Sequence, residues 1–148
     1  YFFEDNLIFF SNYKSHKAQD FVDNDKVCIN FWWPNIEVQV RIEGVISKCE
    51  EKFSDEHFQG RKPSKNVAAL VSEQSKKIES YDLLKQKYEA MKEKIENGEY
   101  NHSRPENWGG YQIKVHFFEF WEANDDRLNY RECYEKTDES WSKFFLQS

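Results

Sequence analysis

Two arginines near the end of the chain, Arg127 and Arg131, stand four residues apart across a short polar segment. The flat guanidinium group of arginine donates paired hydrogen bonds, which suits it to phosphate and carboxylate ligands. A Phe-Trp pair that ends at Trp121 comes shortly before them, and an indole ring can stack beside a planar molecule. These residue types at this spacing indicate a binding site for a planar, anionic molecule.

Residues 107–111, with the sequence Asn-Trp-Gly-Gly-Tyr, precede this group. The two glycines predict a turn and the aromatic residues predict packing, but many β-rich domains contain such a turn. The pattern gains specificity only from its fixed distance to Trp121 and to the two arginines. The stretch 107–131 therefore indicates a site as well as a part of the core.

Four earlier segments carry polar side chains that could bind a ligand, namely 10–17, 39–44, 54–65 and 71–75. Each also has an ordinary structural explanation. A lysine at a helix start, such as Lys17, is usually solvated, and a histidine beside a glutamate, such as His57, is usually a surface residue. Gln39 shares a strand face with Arg41 and Glu43, and these could form cross-strand polar pairs. The residue types alone leave both explanations open.

Charge and hydropathy limit the possible partners. The 148 residues carry a formal net charge of −6 with acids and bases interspersed, which argues against a general nucleic-acid surface. Any anion site must therefore be local. Apolar runs stay below the roughly 18 to 20 residues that a membrane helix needs. We expect neither nucleic acid nor a membrane as a partner.

The cysteines and histidines indicate no metal site. Cys28, Cys49 and Cys133 are odd in number and far apart, which predicts neither a disulfide framework nor a metal site and favours a reducing, cytoplasmic setting. The four histidines are scattered, and the chain has no nucleophile elbow, phosphate-binding loop or dinucleotide-binding glycine run. We therefore expect no metal.

Alternating apolar residues predict strands at 7–13, at 26–33 and from 36 to about 49. Pro34 and Asn35 predict a turn, so residues 32–43 are expected to form a hairpin. A loop through His102 leads to a predicted strand at 111–121. Two last strands are predicted at 133–136 and 141–146, joined by a turn at 137–140.

Helical spacing predicts four helices. Ser15 as N-cap predicts a short helix to about Val22, and weaker patterns cover 54–59 and 66–74. The clearest helix covers 81–97, with Ser80 as N-cap and Gly98 just past its end. Its apolar face consists of Leu84, Tyr88, Met91 and Ile95.

The order of these elements, strands first, then helices and then strands again, predicts an antiparallel α+β fold that is mainly β. A chain of 148 residues with 18% aromatic content can build one core, and no linker or repeat interrupts it. We expect a single domain over residues 1–148.

The stretch 107–131 and the four earlier segments occur in the order found in the pyridoxine/pyridoxamine 5'-phosphate oxidase family, which the chain resembles from about Leu7 to Trp141. The sequence Gln-Val-Arg-Ile-Glu-Gly at 39–44 resembles the family strand almost letter for letter. The resemblance implies an FMN-binding split β-barrel with flanking helices, flavin mononucleotide (FMN) as cofactor, and a homodimer with the flavin at the subunit interface.

The start of the chain carries a further expectation. It begins at Tyr1 and its only methionine is Met91, so we expect residues upstream. In the family a strand precedes the position of Tyr1, and the resemblance therefore implies a barrel that lacks its first strand or strands. We expect the 148-residue chain by itself to bind flavin poorly.

The resemblance assigns roles by position. It implies flavin contacts for Phe10, Ser11, His16, Lys17, Gln39, Gln74, Ser75, Trp121 and Arg131. It implies a substrate-phosphate site formed by His57, Arg61 and Lys65. It implies substrate contact and a catalytic role for Arg127 and Asn129.

Four of these positions depart from the family pattern. His16 replaces an arginine, which weakens the anion site. His57 and Lys65 replace a tyrosine and a serine, and both can still donate to a phosphate. Asn129 replaces a histidine and can form hydrogen bonds, but it cannot act as a titrating acid or base.

The resemblance implies an oxidoreductase of vitamin B6 metabolism that converts pyridoxamine or pyridoxine 5'-phosphate to pyridoxal 5'-phosphate with O2 as acceptor. The four departures keep a second class open, a non-catalytic paralogue that binds FMN or pyridoxal 5'-phosphate. A different flavin reductase on the same barrel fits the matched segments less well.

Overall fold

Residues 1–100, 103–138 and 140–148 are described in a computed structural model of the chain. Its helices are α1 (His16–Asp23), α2 (Glu51–Gly60), α3 (Pro63–Val71) and α4 (Tyr81–Glu96). Its strands are β1 (Phe2–Phe3), β2 (Asn6–Asn12), β3 (Lys26–Trp33), β4 (Val38–Lys48), β5 (Trp108–Glu122), β6 (Tyr130–Thr137) and β7 (Ser140–Phe145). His102, in a predicted loop, and Glu139, in a predicted turn, lie outside the described residues.

The strands of the described ranges form one sheet with the order β1-β2-β5-β4-β3, and β6 and β7 continue from β5. The strand pairs β1–β2, β3–β4, β5–β6 and β6–β7 are antiparallel. Within the described residues these pairings do not close the sheet into a ring. The predicted fold class, α+β and mainly β with flanking helices, is confirmed.

The described chain contains two compact units. The first unit consists of Tyr1–Ile8, Asn24–Ser47 and Gln112–Ser148. The second unit consists of Phe9–Asp23 and Lys48–Tyr111. The expectation of one domain over residues 1–148 stays a prediction.

The hairpin of β3 and β4 belongs to the first unit. Lys26 pairs with Val45 and Trp33 pairs with Val38, which confirms the predicted hairpin and extends it at its open end. Along β4 the side chains alternate between the core and the surface, as a period of two requires. The buried apolar residues of the unit are Leu7, Ile8, Val40, Ile42, Ile46, Ile113, Val115 and Cys133.

The C-terminal strands of the first unit form an antiparallel meander. β5 pairs with β6 so that Trp121 lies opposite Arg131 and Glu119 lies opposite Cys133. β6 pairs with β7 from Glu132, which lies opposite Phe145, to Thr137, which lies opposite Ser140. The two strands predicted at 133–136 and 141–146 are confirmed as β6 and β7, of which β6 begins three residues earlier.

The four helices lie in the second unit, and α3 packs against α4. The start of α4 is as predicted, because the Ser80 hydroxyl accepts a hydrogen bond from the Leu83 N–H at 3.1 Å. α3 runs over Pro63–Val71 rather than 66–74, because Pro63 fits the first turn of a helix and Ser72 already has an extended backbone. Among the described residues, no helix combines the length and the apolar character needed to cross a membrane.

The predicted turn at Gly109 and Gly110 is wrong, because both glycines lie inside β5. A Cβ atom at Gly110 would lie 2.8 Å from Cys49 Sγ, and a Cβ atom at Gly109 would collide with the Tyr13 hydroxyl. The glycines therefore allow other parts of the second unit to approach the strand closely. They are a packing requirement and not a turn signal.

Candidate functional site

A group of polar side chains in the second unit brings β2 and α1 together with the loop after α3. Ser11 Oγ donates to Gln74 Oε1 at 3.2 Å. Lys17 Nζ donates to Ser11 Oγ at 3.1 Å and to Ser15 Oγ at 3.2 Å. The N–H of His16 donates to Ser75 Oγ at 3.3 Å. We name as the Lys17 cluster Ser11, Ser15, Lys17, Gln74 and Ser75.

The backbone explains why these segments meet. Asn12 ends β2, and its Oδ1 accepts from the Lys14 N–H at 2.7 Å, which turns the chain toward α1. Lys17 thereby lies in the first turn of α1. The Asn12 N–H also donates to Gln74 Oε1 at 3.3 Å. Ser75 has a φ of 73°, a left-handed conformation that is costly for a residue other than glycine and is found more often at functional sites.

The positive charge of Lys17 is not neutralised by a carboxylate. Among the residues that the structure describes, no Asp or Glu forms an ion pair with it. Its two acceptors are the buried hydroxyls of Ser11 and Ser15. The N-terminal end of the α1 dipole adds partial positive charge. The Lys17 cluster is therefore suited to an anion.

Three rings form a stack in the same unit. The ring centroids of Phe10 and His57 are 3.5 Å apart and their planes differ by 7°. Phe10 also stacks on Trp108, with centroids 5.4 Å apart. Burial, and then the charge of nearby Arg61, lower the pKa of His57 below its ordinary value. The lowered pKa favours the neutral form of the His57 ring.

Arg61 lies directly after α2, and its Cζ is 4.4 Å from the centroid of the Trp108 ring. Its Nη2 donates to the Lys65 backbone oxygen at 3.3 Å, whereas its Nη1 is buried and has no hydrogen-bond acceptor within residues 1–100, 103–138 and 140–148. Burial lowers the pKa of Arg61, but a guanidinium group remains charged at neutral pH. The structure thus brings His57 and Arg61 together at Trp108, while the Lys65 side chain is exposed.

A second charged group lies in the first unit. Glu119 in β5 is 3% exposed, and its Oε1 accepts from Arg131 Nε at 2.5 Å while its Oε2 accepts from Arg41 Nε at 2.9 Å. Arg41 also pairs with Glu43. Burial alone would raise the pKa of Glu119, but the hydrogen bonds from Arg131 and Arg41 outweigh it and lower the pKa below its ordinary value. We name as the Glu119 cluster Arg41, Glu43, Glu119 and Arg131.

Gln39 and Trp121 lie in the same unit, and Trp32 is a neighbour of both residues. The rings of Trp121 and Trp32 are tilted, with centroids 6.3 Å apart. Trp32 lies opposite Gln39 in the β3–β4 register, and Trp121 lies opposite Arg131 in the β5–β6 register. The first unit therefore holds three of the residues for which flavin contacts were predicted, Gln39, Trp121 and Arg131.

The loop between β5 and β6 holds Arg127 and Asn129. Arg127 is exposed and has a φ of 61°, and its N–H donates to the Asn124 backbone oxygen at 2.9 Å. Asn129 Oδ1 accepts from the Asn124 N–H at 3.1 Å. The side-chain oxygen of Asn129 thus stabilises the loop, and the amide hydrogens of this side chain can still donate to a ligand.

Sequence reasoning missed Glu119 and Trp32. The signal for Glu119 is a single carboxylate within the aromatic run 117–121, since a charged group in such a strand needs a buried partner. Trp32 carries no comparable signal, because exposed and packed tryptophans look alike in a sequence. Among the described residues, no group of three or more His, Cys, Asp or Glu side chains could hold a metal ion.

Comparison with known proteins identifies the family. A family model described as pyridoxamine 5'-phosphate oxidase matches residues 1–94. The chain belongs to the pyridoxamine 5'-phosphate oxidase family. A second model, described as the pyridoxine 5'-phosphate oxidase C-terminal dimerisation region, matches residues 108–148. The resemblance inferred from the sequence is confirmed.

Members of this oxidase family are similar over almost the whole chain. The chain is 41% identical to pyridoxine/pyridoxamine 5'-phosphate oxidase 2 of Hydrogenovibrio crunogenus over 142 residues, which are 96% of this chain and 66% of the relative. It is 37% identical to the pyridoxine/pyridoxamine 5'-phosphate oxidase of Colwellia psychrerythraea, over 93% of this chain and 63% of the relative. The chain therefore spans slightly less than two thirds of the length of these relatives.

Solved structures support the fold. PhzG from Burkholderia lata 383, in complex with tetrahydrophenazine-1-carboxylic acid, matches with a TM-score of 0.83 and 25% identity, over 97% of this chain and 69% of that chain. A pyridoxamine 5'-phosphate oxidase-related, FMN-binding protein from Nostoc punctiforme PCC 73102 matches with a TM-score of 0.73 and 15% identity, over 99% of this chain and 76% of that chain, which bears on the fold alone. The predicted split-barrel class is confirmed by these neighbours.

Proposed function

We propose that this member of the pyridoxamine 5'-phosphate oxidase family binds FMN and oxidises pyridoxamine or pyridoxine 5'-phosphate to pyridoxal 5'-phosphate with O2. One observation carries the proposal. Segments 10–17 and 71–75, which the sequence assigns to the same cofactor, meet in the Lys17 cluster, where the acceptors of the cation among the described residues are neutral hydroxyls.

The donor set of the Lys17 cluster fits the phosphate and hydroxyl groups of FMN. Lys17 supplies a positive charge without a carboxylate partner among the described residues, and Ser11, Gln74 and Ser75 supply hydroxyl and amide groups. The backbone N–H of His16 donates to Ser75, and Phe10 comes directly before Ser11 in the sequence. These residues would bind the cofactor and orient it. A second set of proposed flavin contacts is Gln39, Trp121 and Arg131.

FMN, when bound, supplies the redox chemistry by accepting a hydride and passing two electrons to O2. With pyridoxamine 5'-phosphate, the overall reaction consumes O2 and water and yields pyridoxal 5'-phosphate, ammonia and hydrogen peroxide. With pyridoxine 5'-phosphate, it yields the aldehyde and hydrogen peroxide. The protein contributes binding and alignment, which can account for a large share of such a rate enhancement.

We propose that Arg61 binds the phosphate of the substrate. Its Nη1 is buried without an acceptor in the part of the chain that the structure describes, and an unpaired buried donor costs about 1 to 3 kcal/mol. A phosphate oxygen would remove this cost. His57, neutral and stacked on Phe10, would form the flat wall of this site, and Lys65 would add a donor from the exposed side chain next to it.

Arg127 and Asn129 are proposed to contact the substrate ring. Arg127 is exposed on a loop that hydrogen bonds to Asn124 hold in shape, so its charge is available to an anionic substrate. Asn129 can donate from its amide but cannot transfer a proton. Together these residues would orient the substrate without acting as acid or base.

The assembly is proposed to be a homodimer. Support comes from the match of residues 108–148 to a dimerisation region, which also contains Arg127 and Arg131. A cytoplasmic location is proposed as well, since Cys28, Cys49 and Cys133 are all free thiols.

A non-catalytic protein that binds FMN or pyridoxal 5'-phosphate is the second candidate. The observation in its favour is the position of Asn129, whose side-chain oxygen is used by the loop. Asn129 cannot transfer a proton, and its side chain already holds the loop. This candidate shares the Lys17 cluster and differs only in the absence of oxidation.

One experiment separates the two candidates. The full-length protein is purified, its flavin absorption is recorded, and peroxide is measured after addition of pyridoxamine 5'-phosphate. The proposed oxidase gives a yellow protein that produces peroxide. A yellow protein without peroxide supports the binding protein, and a colourless protein that takes up no added FMN contradicts both.

A further inference from the structure

The carboxylate of Glu119 is an unusual group for its surroundings. It lies between two phenylalanines in β5 and is 3% exposed, and a buried carboxylate is stable only when it is paired and hydrogen bonded. Each of its oxygens accepts from a different arginine, Oε1 from Arg131 and Oε2 from Arg41. The carboxylate therefore fixes two guanidinium groups from two different strands.

The register explains why Glu119 reaches Arg131. Successive side chains of a strand alternate between faces, so Glu119 and Trp121 lie on the same face of β5. Trp121 lies opposite Arg131 in the antiparallel pair with β6. Glu119 and Arg131 are therefore diagonal neighbours, a distance that long side chains can span. The ion pair lies next to Trp121, which is also a proposed flavin contact.

Arg131 is held from two sides. Its Nε and Nη2 both lie 2.5 Å from Glu119 Oε1, and its Nη1 donates to the Gln147 backbone oxygen at 3.0 Å. About a quarter of the side chain remains exposed, at 28%. Its orientation is thereby fixed while part of the group stays accessible to a ligand.

The charges of the Glu119 cluster balance, since Arg41 and Arg131 face Glu119 and Glu43. The cluster therefore offers little net attraction to an anion. The cluster instead holds the Arg131 guanidinium group in a fixed orientation. The orientation of such a group determines how strongly it forms a hydrogen bond or a contact with an aromatic ring.

We propose that Glu119 is a positioning residue that holds Arg131 in the orientation in which it contacts the flavin. This rests on the proposed function. Glu119 itself touches no cofactor and acts only through Arg131. Its contact with Arg41 fixes the other side of the carboxylate, so that Glu119 cannot turn away.

The test is a double-mutant cycle on FMN affinity in the full-length protein. Glu119→Gln keeps the shape of the side chain but removes its charge, and Arg131→Gln removes the group on which it acts. We expect Glu119→Gln to weaken FMN binding about tenfold, the effect of losing one charge-assisted contact. In the Arg131→Gln background the same substitution is expected to have no further effect.

Two further variants control the cycle. Glu132→Gln alters another glutamate of the same sheet, one that pairs with Lys143 and not with Arg131, and is expected to leave FMN affinity unchanged. Glu119→Asp keeps the charge on a shorter side chain and is expected to restore part of the affinity. Circular dichroism shows whether each variant is folded.

The outcomes are distinct. If Glu119→Gln weakens FMN binding by the same factor with Arg131 present and in the Arg131→Gln background, the positioning role is overturned. It is also overturned if Glu119→Gln alone leaves the affinity for FMN unchanged. Failure of both Glu119 variants to fold overturns it too, because the role of Glu119 would then be structural. If the unmodified protein binds no FMN, the proposed function fails and the inference fails with it.

Discussion

The Lys17 cluster of the second unit and the Glu119 cluster of the first unit both contain cations, but they compensate the charge differently. In the described part of the chain, Lys17 hydrogen bonds to the hydroxyls of Ser11 and Ser15 and to no carboxylate. Arg131, by contrast, is bound to a buried carboxylate. A cation with neutral acceptors attracts an anionic ligand, whereas a cation that is already paired is fixed in direction. We infer that the Lys17 cluster binds phosphate and the Glu119 cluster orients a ring contact.

The difference also predicts how much each cluster contributes to stability. Removing one member of a buried ion pair leaves a charge without a partner, which is strongly destabilising. Removing a cation from two hydroxyls leaves only neutral groups, which can form other hydrogen bonds. Substitutions in the Glu119 cluster should therefore lower stability, whereas substitutions of Lys17 should lower the affinity for an anionic ligand and leave stability largely unchanged.

The largest effect is expected from Glu119→Ala, which leaves Arg41 and Arg131 without their shared carboxylate. The free energy of unfolding should fall by about 3 kcal/mol, as measured by urea denaturation. Glu43→Ala is the matched control, because Glu43 pairs with the same arginine at a more exposed position, and should cost less than about 1 kcal/mol. Equal losses in the two variants would contradict the role of Glu119 as the buried carboxylate that stabilises this cluster.

A smaller effect is expected from Arg61→Gln. The KM for pyridoxamine 5'-phosphate should rise roughly thirtyfold, because a charged hydrogen bond to phosphate is lost. Stability should change by less than about 1 kcal/mol, since loss of the contact with Trp108 is offset by removal of an unpaired buried donor. Lys62→Gln, at an exposed neighbouring position, is the control. An unchanged KM in steady-state assays would exclude Arg61 from the phosphate site.

In the first unit, Glu119 should contribute to the dependence of stability on pH. The pKa of Glu119 is lower in the folded chain than its ordinary value. The ionised carboxylate therefore stabilises the fold at any pH above its pKa in the unfolded chain. This stabilisation is lost as the pH falls through the pKa of the folded chain. Urea denaturation should therefore show a declining free energy of unfolding below about pH 4.3. The pKa of Glu132, lowered to about 2 by Lys143, Tyr130 and Tyr134, extends the decline toward more acidic pH.

Glu119→Gln tests this assignment. The variant should lose less stability on acidification than the unmodified chain, because one of the carboxylates with a lowered pKa is gone. The part due to Glu132 should remain. Parallel curves for variant and unmodified chain would show that Glu119 does not contribute.

Much of the fold could be predicted from the sequence, because local patterns decide it. The β3–β4 hairpin follows from alternation and a Pro-Asn turn, and α4 follows from its apolar face and from Ser80 as N-cap. Gly109 and Gly110 were misread, because their role depends on the distant residues Tyr13 and Cys49. A sequence pattern shows that a position needs glycine, but it does not distinguish a turn from a close approach.

For the same reason, the sequence predicted which residues belong to the candidate site but not the contacts between them. The resemblance named residues of both clusters, such as Lys17 and Arg131, since it follows positions along the chain. It did not show that Glu119 would be the partner of Arg131, because that contact arises from the register of β5 and β6. Nor did it show that Asn129 holds its own loop. Pairings between strands and loops are properties of the folded chain.

The most direct test of the account compares the affinities for FMN and for riboflavin, which differ by the phosphate. Both are measured by fluorescence titration in the unmodified full-length protein, in Lys17→Gln and in Glu119→Gln, with Lys14→Gln as a control at an exposed lysine of the same segment. We expect Lys17→Gln to weaken FMN binding about tenfold and to leave riboflavin binding unchanged, whereas Glu119→Gln should weaken the binding of both ligands equally. Equal weakening of both ligands by Lys17→Gln would contradict this expectation.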